Sequence, residues 1–134
     1  MLIQSLAGLP SFLFYFATAI GLLLLFVAAY SFITPYQEIA LIRAGNAAAA
    51  ASLGGAILGF VLPLASAIAH SVGLLDMAVW GLIALLIQLL VYGVGRLLLP
   101  DLARDIPAGR IASGVFVGAL SLAIGILNAA CMSY

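Results

Sequence analysis

The side chains able to do chemistry in this 134-residue chain are few and gathered: four arginines, four carboxylates, one histidine and one cysteine. Seven of the eight charges fall in two islands, Thr34–Asn46 ("TPYQEIALIRAGN") and Arg96–Arg110 ("RLLLPDLARDIPAGR"). The eighth, Asp76, closes the short stretch "HSVGLLD". In the first island Glu38 and Arg43 stand five residues apart, whereas neighbours on a helix face are three or four apart. Each is expected instead to snorkel into a headgroup layer on its methylene stem. Gln88, Tyr92 and Arg96 follow one another at four-residue steps and share one helix face. That face suits a polar track for water, ions or a headgroup, or else an interhelical hydrogen bond, a packed tyrosine and a snorkelling arginine. Asn46 and Asn128 suit a path lining or an interhelical clasp. The candidate functional polar residues are therefore Glu38, Arg43, Asn46, Gln88, Tyr92 and Arg96.

Several chemistries lack their parts. No Ser–His–acid set stands out, because the one histidine, His70, sits beside a turn. With Asp76 it makes either a pH-sensitive pair or a solvated turn. No His/Cys/acid cluster has metal spacing, and Cys131 alone cannot form an internal disulfide and reads as a small apolar helix residue. "GGAILG" lacks the context of a nucleotide loop. No carboxylate falls inside an apolar stretch, so a proton antiporter has no obvious carrier. The expectation is a non-enzyme with no catalytic, cofactor-binding or metal residues and no cofactor. Zero formal net charge, without a basic patch, argues against nucleic acid.

The elements that must carry these residues follow from composition. Apolar residues make up 67% and charged residues 6% of the chain, against roughly 45–50% and about 25% in a soluble domain. A span needs about 20 mostly apolar residues, and Phe12–Ile33, Ala47–Ala69, Met77–Leu99 and Ile111–Met132 qualify. In lipid the backbone must satisfy itself within the segment, so each is a helix, and continuous apolar runs argue against a β-barrel. The first run has no basic region before it and is too long for a signal peptide, so it is read as a retained span. All four arginines lie in the islands, so islands 34–46 and 96–110 are expected in the cytoplasm and both termini in the periplasm. In the first island Thr34 is expected to cap a helix starting at Pro35, with Gln37 completing a capping box. Pro63 is expected to kink the second span.

The islands also look related. A shift of 64 residues lays "AGN" (44–46) on "AGR" (108–110), and one inserted residue lays Pro35 on Pro100. The fold class expected is thus an all-α membrane protein of four transmembrane helices. They form two tandem parallel-orientation hairpin repeats, residues 12–70 and 77–134, in one integral-membrane domain. Ala51, Gly55 and Gly59, and Gly114 and Gly118, form small-residue stripes that let backbones approach. These place the second and fourth spans at the packed centre and suggest a homo-oligomer.

"ITPYQEIALIRAGNAAAAASLGGAILGFVLPLASAI" and "MAVWGLIALLIQLLVYGVGRL" resemble the YjfL-like family of small bacterial inner-membrane proteins, which carry the domain of unknown function DUF350, usually twice. The likeness rests on Thr34-Pro35, Glu38, Asn46, Pro63, Gln88 and Arg96. It implies a multi-pass protein of the bacterial cell inner membrane, no accepted activity or cofactor, and a link to membrane integrity or stress. The second island lacks the Thr cap, the Glu38 match and the Asn, so it is not expected to duplicate the first. Two functions result. One is a non-enzymatic oligomeric component whose islands face anionic lipid or a cytoplasmic or peripheral membrane-protein partner. The other is a small oligomeric channel or transporter with a path past Gln88, Tyr92 and Arg96.

Overall fold

A computed structural model describes residues 1–132; Ser133 and Tyr134, the end of the second expected unit, lie outside the described residues. The described residues form seven helices: α1 Leu2–Leu6, α2 Leu9–Ile33, α3 Glu38–Arg43, α4 Ala47–His70, α5 Leu74–Leu98, α6 Leu102–Asp105 and α7 Ile111–Cys131. Four helical stretches are long and apolar enough to cross a membrane: Leu2–Ile33, Ala47–His70, Leu74–Leu98 and Ile111–Cys131. The first is longer than expected. Gly8 precedes the main helix and Pro10 sits in its first turn, where a missing N–H costs nothing. The third also starts earlier, so Asp76 lies inside the first turn of α5, where its Oδ2 accepts from the Val72 N–H at 3.1 Å.

The second and fourth long helices make the centre. A Cβ added to Gly55 would overlap Gly118, one on Gly114 would overlap Ala48, and one on Gly125 would overlap the Gly59 carbonyl. Backbones this close leave dispersion and weak C–H···O contacts as the adhesive, as expected where lipid removes the hydrophobic drive between helices. Pro63 lies inside α4, which runs on without a break. Its ring removes the N–H that the Gly59 carbonyl would accept, and Gly125 backs that carbonyl instead. The first helix is peripheral: its apolar stretch is 11% buried, against 44% in α4. It touches the bundle through Leu22, Phe26 and Tyr30, a four-residue stripe on its island-side half.

Both islands occupy one end of the bundle. Asn46 reaches from the start of α4 to the Ile106 carbonyl of the second island at 2.8 Å. Each island ends in a left-handed glycine, Gly45 at φ 88° and Gly109 at φ 78°, followed two residues later by the start of a long helix. A side chain at either position would be strained.

Candidate functional site

The first island folds differently from its capping-box reading. Thr34 ends α2 in an extended conformation, φ −80° and ψ 138°, as a residue before proline prefers. Its hydroxyl donates to the carbonyls of Ser31 at 3.3 Å and Tyr36 at 3.2 Å. It therefore caps no following helix, and α3 starts at Glu38 with no side-chain bond from Gln37. This bend tucks Tyr36 and Glu38 under the island end of the bundle.

The largest departure is Glu38. It does not snorkel; it is 1% exposed, and neither carboxylate oxygen has a hydrogen-bond partner. The six-residue α3 packs against α4, which turns its first residue inward and leaves Arg43 exposed. The carboxylate acts electrostatically on Tyr30, Tyr36 and Tyr92. Tyr30 and Tyr92 meet edge to face with ring centroids 5.4 Å apart. The Tyr92 hydroxyl donates to that of Tyr36 over a long 3.4 Å. Burial, and then the Tyr92 hydroxyl, push the Tyr36 phenol well above the usual tyrosine range, so it stays neutral and able to donate or accept. The Tyr30 hydroxyl has no hydrogen-bond partner; the Ser52 hydroxyl is an electrostatic neighbour outside bonding geometry. Phe26 and Phe60, stacked at 4.8 Å, close the floor.

The remaining candidates divide. Asn46 is a clasp: its Oδ1 accepts from the Ala49 N–H at 2.9 Å as the N-cap of α4, while its Nδ2 donates to Ile106. Gln88 is fully buried; its Nε2 donates to the Ser121 carbonyl at 3.0 Å and its Oε1 is unpartnered. Tyr92 is 3% exposed and Arg96 is exposed as an electrostatic neighbour of Tyr92. The Gln88–Tyr92 face thus points into the single chain rather than to a surface shared with a second copy. Arg104 pairs with Asp101 at 3.0 Å and Arg110 with Asp105 at 3.7 Å, leaving Arg43 and Arg96 without an ion pair among the described residues. Asn128 keeps a buried Nδ2 without a partner, and His70 Nδ1 bonds the Ser66 carbonyl at 2.9 Å.

Glu38, Arg43 and Tyr92 gather with Arg96 at the island end, Gln88 lies deeper along the same helix, and Asn46 holds the islands together. Sequence reasoning missed Tyr30 and Tyr36. Tyr30 had a signal, as the third member of Leu22–Phe26–Tyr30; Tyr36 had none, because a bend places it.

Among the described residues no three His, Cys, Asp or Glu side chains could hold a metal ion. A pocket of about 480 Å³ opens beside the cluster, lined by Ser31, Gln37, Glu38, Ile39, Ala40 and Arg43.

Comparison with known proteins gives a consistent picture. The Domain of Unknown Function DUF350 matches as a single domain over residues 4–132. The chain is 43% identical over 129 residues to the UPF0719 inner membrane protein YjfL of Escherichia coli (strain K12), covering 96% of this chain and 98% of that protein. It is 31% identical over 91 residues to the UPF0719 transmembrane protein YshE of Bacillus subtilis (strain 168), covering 68% of each. No solved structure matches it.

Proposed function

The chain belongs to the DUF350 family, whose relatives include an inner membrane protein, and on that footing we propose that this multi-pass membrane protein is a non-enzymatic component. Its two islands form one platform for lipid or a protein partner. The observation that carries the reading is the Asn46 bond to Ile106, which fixes both islands as a single surface. Arg43 and Arg96 stand on that surface without an ion pair among the described residues, available to a headgroup or an acidic partner. The platform faces the cytoplasm and the termini the periplasm, since all the arginines are there. The protein assembles as a homo-oligomer and serves membrane integrity or stress. The long helices form two tandem parallel-orientation hairpins that arose by duplication. The paired left-handed glycines and the short helices α3 and α6, which start 64 residues apart, support this. Leu102 stands where Glu38 does, so only the first copy carries the carboxylate.

A second reading has its own support. The unpartnered Gln88 Oε1, Tyr30 hydroxyl and Glu38 carboxylate form a buried polar series toward the island end, as a channel or transporter would need. The carboxylate missing from the apolar stretches is thus supplied from the island. Reconstituted vesicles separate the two. The platform predicts headgroup-dependent or partner-dependent association without ion flux; flux abolished by Gln88→Leu favours the path. Impermeant thiol reagents against cysteines placed at 43 and 104, in a Cys131→Ala background, test the side: labelling from the periplasm sinks the platform's assignment.

A further inference from the structure

The pocket is lined by one acidic and one basic residue, Glu38 and Arg43. Glu38 is 1% exposed with both carboxylate oxygens unpartnered, and a carboxylate so placed is strongly unfavourable without a cationic or hydrogen-bonding partner. Arg43, on the same pocket wall, has no ion pair among the described residues. The two do not pair with each other among the described residues, and a five-residue offset is not the three- or four-residue spacing of helix neighbours. A simple cation or a simple anion would answer only one of them. A zwitterion answers both.

We propose that this pocket binds the headgroup of an aminophospholipid of the phosphoethanolamine type, with its primary ammonium on Glu38 and its phosphate on Arg43. The inference rests on the platform reading. A pocket of about 480 Å³ lies in the ordinary range for small-ligand sites. It opens where α2 leaves its apolar stretch, the level at which a span of this length meets the headgroups. Ile39, 50% exposed, lines it with apolar surface suited to acyl chains, and the 89% exposed Phe32 follows the lining residue Ser31 in the chain. A primary ammonium brings three N–H donors that a carboxylate can accept in charge-assisted bonds. The site also selects. The carboxylate oxygens are recessed behind the wall that Glu38 lines, so binding of the ammonium requires the Glu38 side chain to turn toward the pocket. A slim ammonium can approach the turned carboxylate and donate to it, whereas the trimethylammonium of phosphatidylcholine is bulky and has no N–H to give.

The test uses the full-length protein, delipidated in detergent. Thermal unfolding and native mass spectrometry are followed with phosphatidylethanolamine, phosphatidylcholine or phosphatidylglycerol of identical acyl chains, and with sodium chloride against choline chloride. Phosphatidylethanolamine is expected to bind tightest and to raise the unfolding temperature. Glu38→Gln is expected to weaken that binding roughly tenfold to a hundredfold and to erase the preference over phosphatidylcholine. Arg43→Gln, at an exposed position that does not support the fold, is expected to weaken all three phospholipids alike while keeping their order. Equal binding of phosphatidylglycerol overturns the inference and leaves the platform standing. Stabilisation by sodium alone overturns it in favour of an inorganic cation. If no lipid binds the natural protein, the inference fails, and the platform then depends on a protein partner. Should Glu38→Gln fold poorly, Arg43→Gln and the order of the three lipids on the natural protein still decide.

Discussion

Replacing Asn46 separates the two jobs of one side chain. Asn46→Ala removes the N-cap of α4, worth about 1 kcal/mol, and the bond to the Ile106 carbonyl. That carbonyl also accepts from the Gly109 N–H at 3.0 Å, so it is not orphaned. The loss is therefore the net value of a hydrogen bond, about 0.5–1.5 kcal/mol, and not a full desolvation penalty. The longer contact to the Pro107 carbonyl at 3.4 Å adds little. Together Asn46→Ala should cost about 1.5–2.5 kcal/mol. Asn46→Ser keeps a capping oxygen but cannot span to Ile106, so it should cost only about 0.5–1.5 kcal/mol. Equilibrium unfolding in mixed micelles, followed by circular dichroism, measures both. Hydrogen exchange should quicken in 102–110 for both variants and at the start of α4 for alanine only. A serine variant as unstable as the alanine variant, or an alanine variant within about 0.5 kcal/mol of the natural protein, would refute the double role.

Further outcomes follow from packing and burial. Gly118→Ala and Gly125→Ala push a methyl into α4 backbone and should each cost about 1–3 kcal/mol; Gly54→Ala meets nothing within 4 Å and should be neutral or gain up to about 1 kcal/mol from helix propensity, all by the same unfolding assay. Gln88→Leu loses one bond but also removes the unpartnered Oε1, so stability should stay within about 1 kcal/mol, and a much larger loss would mean that Oε1 has a partner such as bound water. The Tyr36 phenol is raised by burial. Its contribution to stability is therefore intact below the unfolded value near about 10 and is lost as pH climbs beyond it. Tyr36→Phe should flatten that alkaline loss in a pH series of melts.

The bundle was legible because lipid imposes one simple demand on sequence: long runs without charge. The four apolar helices came from run length alone, and the close pair α4 and α7 from the spacing of Gly55, Gly59 and Gly118. The ends were harder to read, since helices extend into any residue that tolerates the first turn, as at Pro10 and Asp76. The site was half legible. Gln88 and Asn46 stand out as polar residues at apolar positions. Glu38 was misplaced because its burial is decided by a bend at Thr34-Pro35 and by packing on α4, neither of which leaves a period in the sequence. Tyrosines near span ends also resemble an interfacial belt, which hides Tyr30 and Tyr36 as inward groups.

The clasp and the glycine seam impose an order on biogenesis. Asn46 waits for a carbonyl 60 residues downstream, which at about 5–20 residues per second emerges roughly 3–12 s later. During that delay the small-residue face of α4 sits in the bilayer with only lipid or a neighbouring polypeptide against it. A nascent chain is then most open to capture by a second nascent copy, or by an insertase, until the last helix arrives to close the seam.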